Sequence, residues 1–330
     1  MNKNIDFVVT WVDGNDPLWQ ERKEKYSLGA NKTLNSDARF RDWDIFKYWF
    51  RAVERYTPWV NKIFLITEGH IPDWLNLKHP KLVHIKHSDY IDSQYLPTFN
   101  SNVIELNIQN IKDLSDKFVL FNDDMFINNY VTSEDFFLSG LPRDCGIFSP
   151  IVPHYGCSAS IVLNNLEIIN KYFNQRDVLK KSFSKFYNLK YKKHLIKNIC
   201  TFPWKPILGF YDNHIPVSYN RSYFQKILDL ENNEIKKLYT HRFRQKDDIS
   251  HWLIRYFQLC EGSFIPRSPD FGMHYLIQDD FDELSYDIKH GNHKVICLND
   301  SDSINNFSSL KASLVSIFEE KFYEKSSFEK

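Results

Sequence analysis

One run of residues narrows the fold more than any other part of the chain. Phe118-Val119-Leu120-Phe121-Asn122-Asp123-Asp124-Met125-Phe126 is apolar, breaks at a polar triplet, and turns apolar again. Consecutive aromatic and aliphatic residues without polar alternation suit a strand buried on both faces, as in a parallel α/β sheet. Adjacent carboxylates at the carboxyl end of such a strand stand where these sheets open their ligand crevice. Two of them suit a hard cation such as Mg²⁺, which takes one or two carboxylates plus phosphate oxygens. Asn-Asp-Asp equally suits an Asx turn or a helix N-cap.

The chain has 330 residues, enough for one large domain or two modest ones. Its 42 Lys and Arg balance 42 Asp and Glu, so no overall charge points to nucleic acid. Five scattered cysteines (Cys145, Cys157, Cys200, Cys260 and Cys297) lack metal-site spacing and read as reduced thiols of a cytoplasmic protein. No apolar run approaches the ~18 residues of a membrane span.

Taken in order, Ile5–Val12 reads as a first buried strand, closed by the turn Asp13-Gly14-Asn15-Asp16-Pro17. Phe46, Trp49, Phe50, Val53 and Tyr56 recur at helical spacing, with Asp42 or Asp44 suited to cap that helix. Arg41 just before it suits a phosphate or plain solvation. Strands follow at Ile63–Thr67 and Leu82–Ile85, giving the strand–helix–strand rhythm of a parallel sheet. Thr98, Asn100 and Ser101 precede a helix through Ile104, Ile108 and Ile111; they either cap it or face the crevice with Asp123 and Asp124. Residues 161–174 read as helix. From Arg176 to Lys197 lysines alternate with aromatics, which suits a solvated helical face or an anionic membrane surface. His214, held before a proline, is a candidate base, and Arg244 a candidate phosphoryl clamp. A late strand, Lys294–Leu298, ends in Asn299-Asp300-Ser301-Asp302 and repeats the apolar-then-Asn-Asp pattern. Leu310, Leu314, Ile317, Phe318 and Phe322 make a last helix.

These motifs, in this order, resemble the Stealth family of sugar-1-phosphate transferases. The resemblance covers almost the whole chain. Its first block is Ile5-Asp6-Phe7 through Thr10-Trp11-Val12-Asp13-Gly14-Asn15-Asp16-Pro17. The second runs from Arg39-Phe40-Arg41-Asp42 through Pro58-Trp59-Val60, Ile71-Pro72-Asp73-Trp74-Leu75 and Leu96–Ser101 to Phe121–Phe126. The third holds His214-Ile215-Pro216 and His241-Arg242-Phe243-Arg244 with Asp247-Asp248. The fourth is Ile296–Asp300 with the tail Ser326-Ser327-Phe328-Glu329. One departure concerns the second block, where Trp43 and Ile45 stand where the family commonly has polar residues.

The resemblance implies an α/β fold with a GT-A-like, Rossmann-type mixed sheet flanked by helices and carrying a helical subdomain. The expected division is residues 1–150 as nucleotide-sugar core, 151–260 as acceptor subdomain, and 261–330 as return to the core. It implies transfer of hexose-1-phosphate from a UDP-hexose or UDP-N-acetylhexosamine to a polysaccharide or lipid-linked oligosaccharide, with Mg²⁺ or Mn²⁺. Asp123 and Asp124 are then metal residues, completed by Asn299 or Asp300. Trp11, Val12, Asp13, Gly14, Arg41, Asp42, Thr98, Asn100, Ser101 and Asn122 line the nucleotide-sugar pocket. His214 is the base, Arg244 the phosphate clamp, and Asp248 orients one of them. A conventional glycosyltransferase releasing UDP is the alternative.

Overall fold

The computed structural model describes residues 4–31, 33–36, 40–153, 159–278, 281–300 and 304–330. Arg39, Cys157, Ser301 and Asp302, singled out above, lie outside these residues. Among those described, the strands are β1 (Ile5–Thr10), β2 (Ile63–Thr67), β3 (Leu82–Lys86), β4 (Lys117–Asn122), β5 (Met125–Ile127), β6 (Phe137–Leu138), β7 (Leu141–Asp144), β8 (Val217–Asn220), β9 (Ile265–Pro266), β10 (Gly272–Leu276) and β11 (Val295–Asn299). The helices are α1 (Pro17–Tyr26), α2 (Phe46–Tyr56), α3 (Ser101–Glu105), α4 (Ser133–Phe136), α5 (Ala159–Tyr172), α6 (Gln175–Phe186), α7 (Leu195–Thr201), α8 (Arg221–Leu230), α9 (Asn232–Tyr239), α10 (Trp252–Glu261), α11 (Asp282–His290) and α12 (Phe307–Lys321).

The main sheet has the order β3-β2-β1-β4-β8, with β8 alone antiparallel. This is a mixed, Rossmann-type α/β sheet. Its strand order reverses between β1 and β4, and the crevice for a ligand opens at the carboxyl ends there. The register sets Thr10 opposite Asn122 at that edge. Side chains alternate between two cores. Phe7, Val9, Leu65, Val119 and Phe121 face α2, α12 and a small sheet of order β10-β11-β5. Val8, Phe64, Ile66, Phe118 and Leu120 face α5, α6, α8 and α10. The helical stretch after residue 150 therefore covers one face of the sheet itself.

Helix α2 buries Trp49, Phe50, Ala52 and Val53 completely, as their spacing requires. Its cap differs from expectation. Ile45 holds the N-cap position without a side-chain bond, while Asp42 accepts the Asp44 N–H at 2.8 Å in a turn of its own. Asp44 there takes a φ of 56°, and its carboxylate pairs with Lys311 at 2.6 Å rather than with the helix. The helix expected through Ile104, Ile108 and Ile111 is shorter too. It ends at Glu105, and a 3₁₀ turn covers Ile108–Asn110.

The chain's last residues are tied back to α2. Arg51 forks onto Glu329 at 2.7 and 2.8 Å with both side chains buried, and Phe328 packs on Phe50.

Candidate active site

Strand β4 ends at Asn122, the chain turns at Asp123-Asp124, and β5 leaves at once for the small sheet. The two carboxylates therefore occupy the corner between both sheets. Strand β11 runs antiparallel to β5, Cys297 against Met125, and the Leu298 N–H donates to the Asp124 carbonyl at 2.8 Å. That pairing brings the end of β11, Asn299-Asp300, beside the start of β5. Residues about 175 positions apart are joined because an antiparallel ladder sets one strand's end against the other's beginning.

A cavity of about 270 Å³ opens at this corner. Of the residues expected in the site, Trp11, Val12, Arg41, Asp42, Thr98, Ser101, Asn122, Asp123, Asp124, His214, Arg244, Asn299 and Asp300 line it. Trp43 and Ile45 line it as well, both buried, and they supply apolar wall where polar groups were in question.

Asp13, Gly14, Asn100 and Asp248 do not line the cavity. The Asp13 N–H donates to His70 Nε2 at 2.9 Å, and its carboxylate accepts the Asn15 N–H at 2.8 Å, closing the turn after β1. Gly14 packs against the next loop: a Cβ there would sit 1.8 Å from the Phe40 carbonyl oxygen. Asn100 caps α3 through the Asn102 N–H. Asp248 is fully buried and touches neither His214 nor Arg244 by hydrogen bond. It accepts from Asn100 Nδ2 at 2.8 Å, Asn102 Nδ2 at 3.3 Å and the Gln245 N–H at 3.1 Å, and lies 2.7 Å from His241 Nδ1. Its place in the molecule is behind the wall, fastening the 241–245 turn to α3. Asp248 thus braces the segment that presents Arg244.

Arg244 donates from its guanidinium to Ser101 Oγ at 2.6 Å, at the first turn of α3. Its backbone N–H and carbonyl are both bonded to Asn35. Burial lowers its affinity for a proton, against Glu105, Asp248 and Asp124 nearby. Arg41 pairs with Asp300 at 3.3 Å and lies over the Phe307 ring. His214 sits at a φ of 45°, held by its N–H to Asp212 at 2.7 Å, with Trp252 and His274 around its ring.

Burial, and then the charge of Asp124, push the Asp123 carboxyl up to about 8. Burial foremost, then the charges of Asp44 and Asp13, also raises Asp42, against the Asp44 N–H and Lys311. Asp124 Oδ1 is buried without a hydrogen-bond partner among the described residues. Clustered carboxylates that resist ionisation and an unsatisfied oxygen fit a divalent cation, which relieves both. Asp124, His214 and Cys297 also bring an oxygen, a nitrogen and a sulfur within 4.8 Å of one another.

Glu105 and Cys297 escape sequence reasoning as site residues. Cys297, which reads there as strand filler, is fully buried beside Asp124 rather than on the cavity wall. Glu105 lines the cavity while 3 % exposed, its carboxyl raised to about 7 by burial against the pull of Arg244. Glu105 stands four residues after Ser101, on the same helix face, and that spacing is the signal that could have found it.

Comparison with known proteins finds relatives over the whole chain. The Stealth protein conserved region 1 matches residues 3–29 and conserved region 2 matches residues 39–143. A capsular polysaccharide phosphotransferase, WcwK, of Streptococcus pneumoniae is 54 % identical over 99 % of this chain and 98 % of its own length. The exopolysaccharide phosphotransferase cps2G of Lactiplantibacillus plantarum is 43 % identical over 99 % of this chain and 96 % of its own. The receptor polysaccharide phosphotransferase WefC of Streptococcus oralis is 36 % identical over the whole of both. Among solved structures, the galactosyltransferase LgtC with donor and acceptor sugar analogs aligns over 93 % of this chain and 95 % of its own, with a TM-score of 0.38 and 11 % identity.

Proposed function

This chain belongs to the Stealth family and is a phosphotransferase, and from that premise we propose that it moves a hexose-1-phosphate, or N-acetylhexosamine-1-phosphate, from a UDP-sugar to a glycan hydroxyl. The acceptor is a capsule or cell-wall polysaccharide, or its lipid-linked precursor. A cytoplasmic location, peripheral on the inner face of the plasma membrane, belongs to the same reading. The observation that carries it is the convergence of Asp123, Asp124, Asn299 and Asp300 with Arg244 and His214 around one cavity at the switch point of the sheet.

In this reading the acceptor hydroxyl attacks the β-phosphorus. A new O–P bond forms, the bond to the UMP oxygen breaks, and the hydroxyl proton passes to the His214 imidazole. Arg244, aimed by Ser101, neutralises charge as it grows on the transferred phosphoryl oxygens. Asp123, Asp124 and the Asn299-Asp300 pair would hold Mg²⁺ or Mn²⁺, which supplies further neutralisation on the diphosphate. Trp11, Val12 and Asn122 receive the nucleotide at the carboxyl edge, with Arg41 and Asp42 beside them. Asp13, Gly14, Asn100 and Asp248 serve by fixing the loops behind.

Purified protein with Mg²⁺, a panel of UDP-hexoses and a polysaccharide extract tests this directly. UMP, with a new phosphodiester signal in phosphorus NMR, is the expected result. UDP without that signal would make the chain a conventional glycosyltransferase and overturn the reading.

A further inference from the structure

Between Val178 and Tyr211 the chain carries eight lysines and no aspartate or glutamate, in a protein whose total charge is zero. A solvated helical face would bury the apolar residues of this stretch and expose the lysines. The structure does this in α6, where Val178, Leu179 and Phe186 are buried and Lys180 and Lys181 exposed, but not around α7. Leu189, Ile196, Ile199, Phe202 and Trp204 are between 50 % and 87 % exposed. Ile196, Ile199 and Phe202 follow one another at three-residue spacing, on one side of α7 and its C-terminal end. Asn198, on the opposite side, is wholly buried, donating to the Gly146 and Phe186 carbonyls and accepting the Phe148 N–H. Helix α7 is thus anchored by a polar residue and turns its apolar side outward, the reverse of an ordinary surface helix.

Lys193 and Lys205, just before and just after α7, are exposed. Lys192 is paired with Asp270, and Asp177 lies toward Lys205, but exposed aliphatic and aromatic side chains flanked by the ammonium groups of Lys193 and Lys205 still match an anionic bilayer. The apolar groups enter the headgroup boundary while the ammonium groups meet lipid phosphates.

We propose that α7 and its flanks, Leu189 to Lys205, form an in-plane docking surface for an anionic lipid membrane. The surface adjoins the cavity. His194 and Lys197 pack on Tyr211, which is three residues before His214, so at most about 11 Å of backbone separates the two. A lipid-linked acceptor held at the membrane therefore arrives on the His214 side, a consequence that rests on the function proposed above.

The test is co-sedimentation of the full chain with vesicles of 30 % phosphatidylglycerol in phosphatidylcholine, against phosphatidylcholine alone. At least tenfold stronger partitioning to the anionic vesicles is expected. The double variant Ile199→Ser/Phe202→Ser should lose at least tenfold of it. Lys193→Gln and Lys205→Gln should each lose about fivefold and weaken its salt dependence. Release of UMP with a water-soluble acceptor should be unchanged in all of them. Equal partitioning to both vesicles would overturn the proposal. So would variants that sediment like the parent, or a dimer in light scattering that Ile199→Ser/Phe202→Ser dissociates. Vesicle binding without UMP release would instead sink the proposed reaction and leave the docking surface standing.

Discussion

Replacing Glu105 by glutamine isolates what the cavity imposes on a buried carboxyl. Glu105 is held at about 7 against an ordinary 4.5, so the unfolded chain ionises it well before the folded one does. Below pH 4.5 both states carry the proton and the group contributes nothing. As pH rises from 4.5 to 7 the folded protein loses stability, and above 7 the full penalty is present. Its ceiling is roughly 3 kcal/mol. Water in the cavity screens part of that, leaving ~2 kcal/mol. Glutamine keeps the shape and removes the charge, so Glu105→Gln should equal the parent near pH 5 and exceed it above pH 7. For a chain of this length unfolding entropy is about 0.7 kcal/mol per degree, which converts the gain into about 3 °C of Tm. Thermal unfolding of both proteins at half-unit steps from pH 5 to 8.5 measures it. A difference that does not vary with pH, or a variant less stable at pH 8, would refute the account of Glu105 as a destabilising buried acid.

Three further outcomes are expected. Asp124→Asn should fold normally but lose at least ~100-fold in turnover and its response to added Mg²⁺, read by UMP release; near-normal turnover would remove the metal assignment. Arg244→Lys keeps the charge but loses the fork aimed by Ser101, so kcat should fall about 100-fold with KM little changed in the same assay. Glu329→Ala removes the two bonds that fork onto the buried Arg51 guanidinium and leaves it the Phe322 carbonyl and Glu319, costing about 2–3 kcal/mol and lowering Tm by roughly 3–4 °C. Arg51→Met with Glu329→Leu should recover most of that loss in the same melting experiment.

Where burial leaves a pattern, the sequence was readable. Strands β1, β2, β4 and β11 are continuous apolar runs because both their faces are covered, and α2 and α12 show their packed side as a helical repeat. Asn299-Asp300 could be matched to Asp123-Asp124 because each ends such a run. Strand β5 is three residues long and β10 mixes polar with apolar residues, so neither stands out. Helix α10 is buried nearly all round and therefore has no polar side to reveal its period. Asp248 was expected to orient Arg244 or His214, and it bonds to the turn that carries Arg244 from behind the cavity wall, a depth that spacing along a chain does not reveal. Glu105 looks like any surface glutamate until α3 is seen facing the cavity.

The corner between the two sheets also sets when the site can exist. Asp123-Asp124 and Asn299-Asp300 are separated by about 175 residues of synthesis, roughly 10 to 35 seconds at ordinary elongation rates. During that interval the first four strands and β8 can pair, and the β1–β4 crevice is already shaped. Yet β5 has no partner, and the aspartates at its head face an open edge. The nascent chain thus carries only the Asp123-Asp124 half of that corner until its last strand is added. The two halves of the corner therefore meet only once both sheets are complete.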